Sequence, residues 1–151
     1  MSRSPILFRC DGTPDAGWEP FYQCMTLAQA MQRRRRGTYL HSRLEPANLA
    51  VTIHRGGHEW LPAEHRVGTA DDIDETIRQA RKIGAAAVVV VAPNVGVEYL
   101  RELTASGLLT VVVDGEGKLD FPNRLVVNPY LGVNVEEFGR IKGWTLEQTC
   151  Q

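Results

Sequence analysis

Residues Ala85 to Ala92 read Ala-Ala-Ala-Val-Val-Val-Val-Ala, the longest uninterrupted apolar run in the chain. Consecutive β-branched side chains with no polar alternation fit a strand covered on both faces, the environment of a parallel sheet flanked by helices. The segment before it supports that reading. Thr69 can cap a helix whose first turns carry Asp71, Asp72, Asp74 and Glu75 and whose last carry Arg78, Arg81 and Lys82. That order opposes the helix macrodipole. Ile73, Ile77 and Ala80 form its buried stripe, and Gly84 ends it.

The same alternation of strand and helix runs through the rest of the chain. Ile6 to Cys10 is the first strand. A helix opens near Glu19 or Pro20, where a missing N–H costs nothing, and spaces Phe21, Cys24, Met25, Ala28 and Met31 along one side up to Gly37. Thr38 to Ser42 is a second strand, Pro46 to Ile53 a short helix stopped by Gly56-Gly57, and Glu59 to Leu61 a short third strand. After the valine run, a helix around Val97, Leu100 and Leu103 ends at Gly107, and strands follow at Leu109 to Val113 and Arg124 to Val127. This pattern predicts an α/β fold, a doubly wound parallel, Rossmann-like sheet with strand order 3-2-1-4-5-6. All 151 residues form one domain, with a core over 1–128 and a C-terminal extension over 129–151.

In such sheets ligands bind beyond the carboxyl ends of the strands, where the strand order reverses. The first such loop, Asp11-Gly12-Thr13-Pro14-Asp15-Ala16-Gly17, runs into the first helix, whose free N–H groups can hold a carboxylate, phosphate or sugar oxygen. Asp11 and Asp15 there offer acid, base or hydroxyl-accepting groups, or else bond the local backbone as turn aspartates do. The loop is neither G-x-G-x-x-G nor a P-loop, which argues against nicotinamide or ATP. Asn94, in the loop after the valine strand, should meet the first loop across the crevice, so Asp11, Gly12, Thr13, Gly17, Trp18, Glu19 and Asn94 are expected to line one site.

Several other features read as structural. Arg33 to Arg36 sit at a helix C-terminus, where they offset the dipole, and no aromatic residue interleaves with them, so nucleic acid is not an expected partner. The net charge of −1 gives no electrostatic reason for nucleic-acid or membrane affinity. His54, His58 and His65 lie in loops and either border a polar crevice or face solvent. Cys10 is a buried thiol or, near a helix start, an activated one. With Cys24 and Cys150 it makes an odd, widely spaced set, read as reduced thiols of a cytoplasmic protein. No spacing of Cys and His matches a zinc motif, and neither metal nor cofactor is expected.

The motif Ile6-Leu7-Phe8-Arg9-Cys10-Asp11, then Gly17-Trp18-Glu19-Pro20, then Cys24-Met25-Thr26-Leu27-Ala28, resembles the opening of the UDP-2,4-diacetamido-2,4,6-trideoxy-β-L-altropyranose hydrolases of pseudaminic acid biosynthesis, relatives of the GT-B glycosyltransferases. Val88 to Ala92, Thr110 to Gly115 and Leu125 to Pro129 extend the similarity in order over most of the chain. The resemblance implies the N-terminal, sugar-side half of a GT-B fold, acting on a UDP-amino-sugar, with a separate C-terminal half holding the nucleotide. It also exposes a departure. The family's Gly-His at the helix start, whose His is the water-activating base, reads Glu19-Pro20 here, and proline has nothing to ionise. Glu19 is the nearby substitute base and Asp11 a second catalytic candidate, with Gly12, Thr13, Gly17, Trp18 and Asn94 as substrate-binding candidates. Two functions follow: a nucleotide-sugar hydrolase-like or glycosyltransferase-like half-domain, or a non-catalytic sugar-binding or regulatory module that has lost its base.

Overall fold

The computed structural model describes residues 4–92 and 95–113, together with the strand Leu125–Val127. The valine run becomes β4 (Ala87–Val91), buried at every position. It pairs in parallel with β1 (Ile6–Arg9) on one side and β5 (Leu109–Val113) on the other. Beyond β1 lie β2 (Thr38–Ser42) and β3 (Glu59–Pro62), and beyond β5 lies β6 (Leu125–Val127). The sheet is six-stranded, parallel throughout, in the order β3-β2-β1-β4-β5-β6. The α/β doubly wound fold and its strand order are those predicted from the alternation. The C-terminal extension over 129–151 lies outside the described residues.

Four α-helices cover the described sheet: α1 (Glu19–Arg33), α2 (Ala50–Arg55), α3 (Ala70–Ile83) and α4 (Val97–Ala105). A 3₁₀ turn over Ala47–Leu49 leads into α2. Thr69 caps α3 by accepting from the Asp72 N–H at 3.2 Å, and Gly84 closes it with φ +67°, a left-handed conformation that glycine enters without steric cost.

Because successive strand residues point to opposite faces, the sheet builds two cores. Ile6, Phe8 and Cys10 of the first strand segment pack with Leu40, Phe21, Cys24, Ala28 and Ile53 on the α1 and α2 side. Leu7, Val88, Val90 and Val112 pack with Ile73, Ala80, Tyr99, Leu100 and Leu103 on the α3 and α4 side. Each fully buried Val, Leu, Ile or Phe contributes about 1.5–3 kcal/mol by leaving water. This packing holds the carboxyl ends of β1, β2 and β4 side by side.

Candidate functional site

Arg9, the last residue of β1, is fully buried on the α3 side, in register with His41 of β2 and Val90 of β4. A guanidinium is tolerated there only with its donors satisfied. Nε donates to Asp72 Oδ1 at 2.8 Å, Nη1 to Asp11 Oδ1 at 2.7 Å and to the carbonyls of Cys10 and His41, and Nη2 to the His65 carbonyl at 2.8 Å. Burial works against the charge, but Asp72 and then Asp11 outweigh it, and the guanidinium is held protonated even more firmly than usual. Asp72 also accepts from Thr76 Oγ1, the Gly68 N–H and, at 2.5 Å, the Tyr99 hydroxyl. Burial, reinforced by Asp72, pushes the Tyr99 phenol far above its ordinary range.

Asp11 stands one residue further on and ties three loops together. Its Oδ1 accepts from Arg9 and from the Arg43 N–H at 3.0 Å, and its Oδ2 from the Val67 N–H at 3.0 Å. About three of the four lone-pair positions of a carboxylate are therefore engaged. Over this floor lies a crevice of about 100 Å³, lined by Asp11, Thr13, Ala16, Pro20, Arg43 and Val67, with Asp15, Arg66, Val91 and Ala92 completing the wall. It sits at the carboxyl ends of β1, β2 and β4, where the strand order reverses, as open α/β sheets place their ligands. Arg66 Nη2 reaches Asp15 Oδ2 at 3.2 Å, an exposed pair that bridges the rim and adds little stability. Thr13 shapes the first loop: its Oγ1 accepts from the Ala16 N–H and its carbonyl from the Gly17 N–H.

Of the residues expected in the site, Asp11 and Thr13 line the crevice. Gly12 is buried beside it, exchanging backbone hydrogen bonds with Arg43 and Glu45. A Cβ there would meet Leu44 Cδ2 at 3.2 Å and Phe21 at 3.4 Å, so Gly12 serves the close approach of two loops and does not line the crevice. Gly17, at φ +82°, turns the chain into α1. Trp18 is 40% exposed as the α1 N-cap and is not among the lining residues. Glu19 points into solvent, where Oε1 accepts from Gln23 Nε2 at 3.2 Å one helical turn on, and it does not reach the crevice. Its position at the first helical turn aims its side chain around the helix, away from the sheet edge. The adjacent Pro20 is the buried residue that faces the crevice. Asn94 lies outside the described residues.

Cys10 is buried on the α1 side beside the Cys24 thiol, with Ser42 Oγ at 3.4 Å, and does not line the crevice. The hydrogen bond from Cys24, aided by Ser42 and Arg9, lowers the Cys10 thiol, while burial and Cys10 itself push Cys24 well up. His54 is exposed, His58 buried and His65 half-buried. Measured against models of protein families, curated proteins and solved structures, the chain matches none.

Arg43, Arg66 and Val67 enter the crevice from the loops after β2 and β3, which carry no glycine-rich or motif-like signature. One signal for the network was legible: an arginine inside the apolar strand Ile6-Leu7-Phe8-Arg9-Cys10, where a charge requires partners. Chemically, the crevice offers a ligand a backbone-rich first loop, with Arg43 and Arg66 among its lining residues and their guanidinium groups set beside the carboxylates of Glu45 and Asp15. Its one deeply buried carboxylate is committed to holding the loops in place.

Proposed function

We propose that this chain binds a UDP-linked amino sugar in the crevice, as the sugar-side half of a glycosyltransferase-like fold, and that it does not hydrolyse this ligand by itself. The observation that carries the reading is the engagement of Asp11 by Arg9, Arg43 and Val67, which makes the crevice carboxylate a structural keystone. A general base needs a lone pair directed at the attacking water. Among the described lining residues the other carboxylate is Asp15, exposed and paired with Arg66. Arg43 and Arg66 favour an anionic ligand, since guanidinium groups donate to phosphate or carboxylate oxygens in pairs. The resemblance of the first loop and helix to the nucleotide-sugar hydrolases supports the sugar class, and the Glu19-Pro20 replacement supports loss of the base.

Calorimetric titration with UDP-N-acetylamino sugars, free amino sugars and UDP tests the reading. Saturable binding is expected, with Arg43→Ala and Arg66→Ala each weakening it roughly tenfold or more, the effect of removing a hydrogen bond to a charged group. Heat changes identical in wild type and both variants would refute it.

A further inference from the structure

The net charge of −1 conceals a division between the two ends of the sheet. Parallel strands are joined by helices that run the opposite way, so each helix starts at the crevice end and finishes at the amino ends of the strands. The first turns are acidic, with Glu19 in α1, Asp71 and Asp72 in α3 and Glu98 in α4. The last turns are basic, with Arg33 in α1, His54 and Arg55 in α2, and Arg81 and Lys82 in α3. Arg34, Arg35 and Arg36 carry the charge of α1 past the end of its helix. Hydrogen bonds knit these ends together. Gln32 Nε2 donates to the Gly57 carbonyl at 3.1 Å, joining α1 to the turn after α2. Arg36 Nη1 donates to the Ser4 carbonyl at 2.7 Å, and the neighbouring Pro5 carbonyl accepts from the Ala86 N–H, just after α3, at 2.8 Å.

A cation in the last turn of a helix offsets its dipole, which accounts for part of this pattern. It does not account for Arg35. The other three helices are each followed by a glycine at positive φ: Gly57 at +81°, Gly84 at +67° and Gly107 at +94°. The end of α1 makes a turn of the same kind, its Arg35 N–H bonded to the Gln32 carbonyl and its Arg36 N–H to that of Met31. Arg35 holds φ 62° there, the one left-handed residue other than glycine among the described residues. A β-carbon in that conformation crowds the backbone, a cost that glycine avoids. Strain kept at the surface points to function, and what this strain keeps is an unbroken run of guanidinium groups.

Arg33, Arg35, Arg55, Arg81 and Lys82 are exposed, and none of them joins an ion pair among the described residues. Against them stand two exposed carboxylates, Glu59 at the start of β3 and Glu102 in the last turn of α4. Of the large apolar side chains described as exposed, Leu109 alone lies at this end, where it opens β5. The surface therefore lacks the aromatic platforms on which single strands stack and the apolar face that a lipid interface buries. Its offer is charge and paired donors, which suit phosphate oxygens.

We propose that this basic end of the domain binds the sugar–phosphate backbone of a nucleic-acid duplex, reading charge and not sequence. Along the sequence, Arg33 to Arg36 is one helix end without interleaved aromatics; the fold sets it beside the basic ends of α2 and α3 and makes a surface of them. That surface lies across the sheet from the crevice, so the proposal stands independently of the sugar reading.

The test is fluorescence anisotropy of a labelled DNA duplex of arbitrary sequence, titrated with the intact chain. Saturable binding is expected, and with four phosphates contacted the affinity should fall about 10²-fold between about 50 and 200 mM salt. Arg55→Gln and Arg81→Gln should each weaken binding at least about threefold and lower the salt slope by about one. Arg35→Gly separates function from folding, because it should weaken binding equally while leaving the melting temperature unreduced. Arg101→Gln makes the same charge change outside the surface and should bind as wild type does. The proposal is overturned if no binding is found at the lower salt, if binding is insensitive to salt, or if Arg35→Gly, Arg55→Gln and Arg81→Gln all bind as wild type does. Sedimentation with phosphatidylserine-containing vesicles, in the absence of duplex binding, would overturn it in favour of a membrane.

Discussion

The two faces of the sheet are built from the same strands by opposite means. On the α1 face, Phe8, Leu40, Phe21, Ala28 and Ile53 interlock around the thiols of Cys10 and Cys24, and the other buried polar groups, Thr38, Ser42 and His58, pair locally without a buried ion pair. On the α3 face, beside Leu7 and the valines of β4, the same strands bury Arg9 and His41 against Asp72, Glu75, Thr76 and Tyr99. An apolar core gains by area removed from water. A buried ion cluster gains little net stability, because desolvation offsets most of the attraction. The polar face supplies positional control instead: Arg9 and Asp11 draw the loops after β1, β2 and β3 to one point and set the crevice floor there.

Denaturant unfolding can break that contrast. Asp72→Ala, which strands the Arg9 guanidinium and the Tyr99 hydroxyl, should cost about 3–5 kcal/mol, the penalty for orphaning one partner of a buried pair. Leu40→Ala on the other face should cost about 2–5 kcal/mol. The conservative exchanges separate the two mechanisms. Leu40→Met should cost below about 1.5 kcal/mol because volume is kept, whereas Asp72→Asn keeps the shape and still destabilises strongly because it removes the charge. Equal, small costs for both conservative exchanges would mean that the polar face behaves as ordinary packing.

A smaller effect is read by pH, and both faces share it, since burial lowers His41 on the α3 face as well. His58 is buried, with Nδ1 against Thr38 Oγ1, and burial holds its pKa below the ordinary 6.5. The unfolded chain therefore takes up a proton more readily than the native one, and stability falls as pH drops from about 7 through 6.5 and below. His58→Gln should remove part of that loss in melting temperature between pH 7.5 and 5.5, while Arg9, protonated throughout, adds no pH dependence of its own there. A variant with an unchanged slope would contradict this. Glu19→Gln should do least: a shift within about 0.5 kcal/mol, as for any exposed residue away from special features, and no change in ligand affinity.

The architecture was readable because it rests on periodicity. The valine run, the capped α3 and the glycines after each helix announce themselves locally, and the strand order follows from chain connectivity. The site was readable only in part. The first loop was found from its place after β1, and Asp11 and Thr13 do line the crevice. Glu19 failed as a crevice residue because one step along a helix turns a side chain by about 100°, which brings Pro20 to the crevice and sends Glu19 to solvent. Asp72 and Glu75 read from the sequence as acidic residues that offset the α3 dipole, and the structure buries both. What distinguishes them is Arg9 and His41, remote in sequence and opposite them in space.

The central claim, binding without hydrolysis, is tested most directly by one titration. A ¹⁵N-labelled chain receives a UDP-N-acetylamino sugar while its amide spectrum and the release of UDP are followed in the same sample. The account predicts shifts concentrated at Thr13, Ala16, Arg43 and Val67, with UDP remaining bound to its sugar. Steady UDP release by the chain alone, abolished by Asp11→Asn in a variant that keeps the native spectrum, would contradict it and make Asp11 the base.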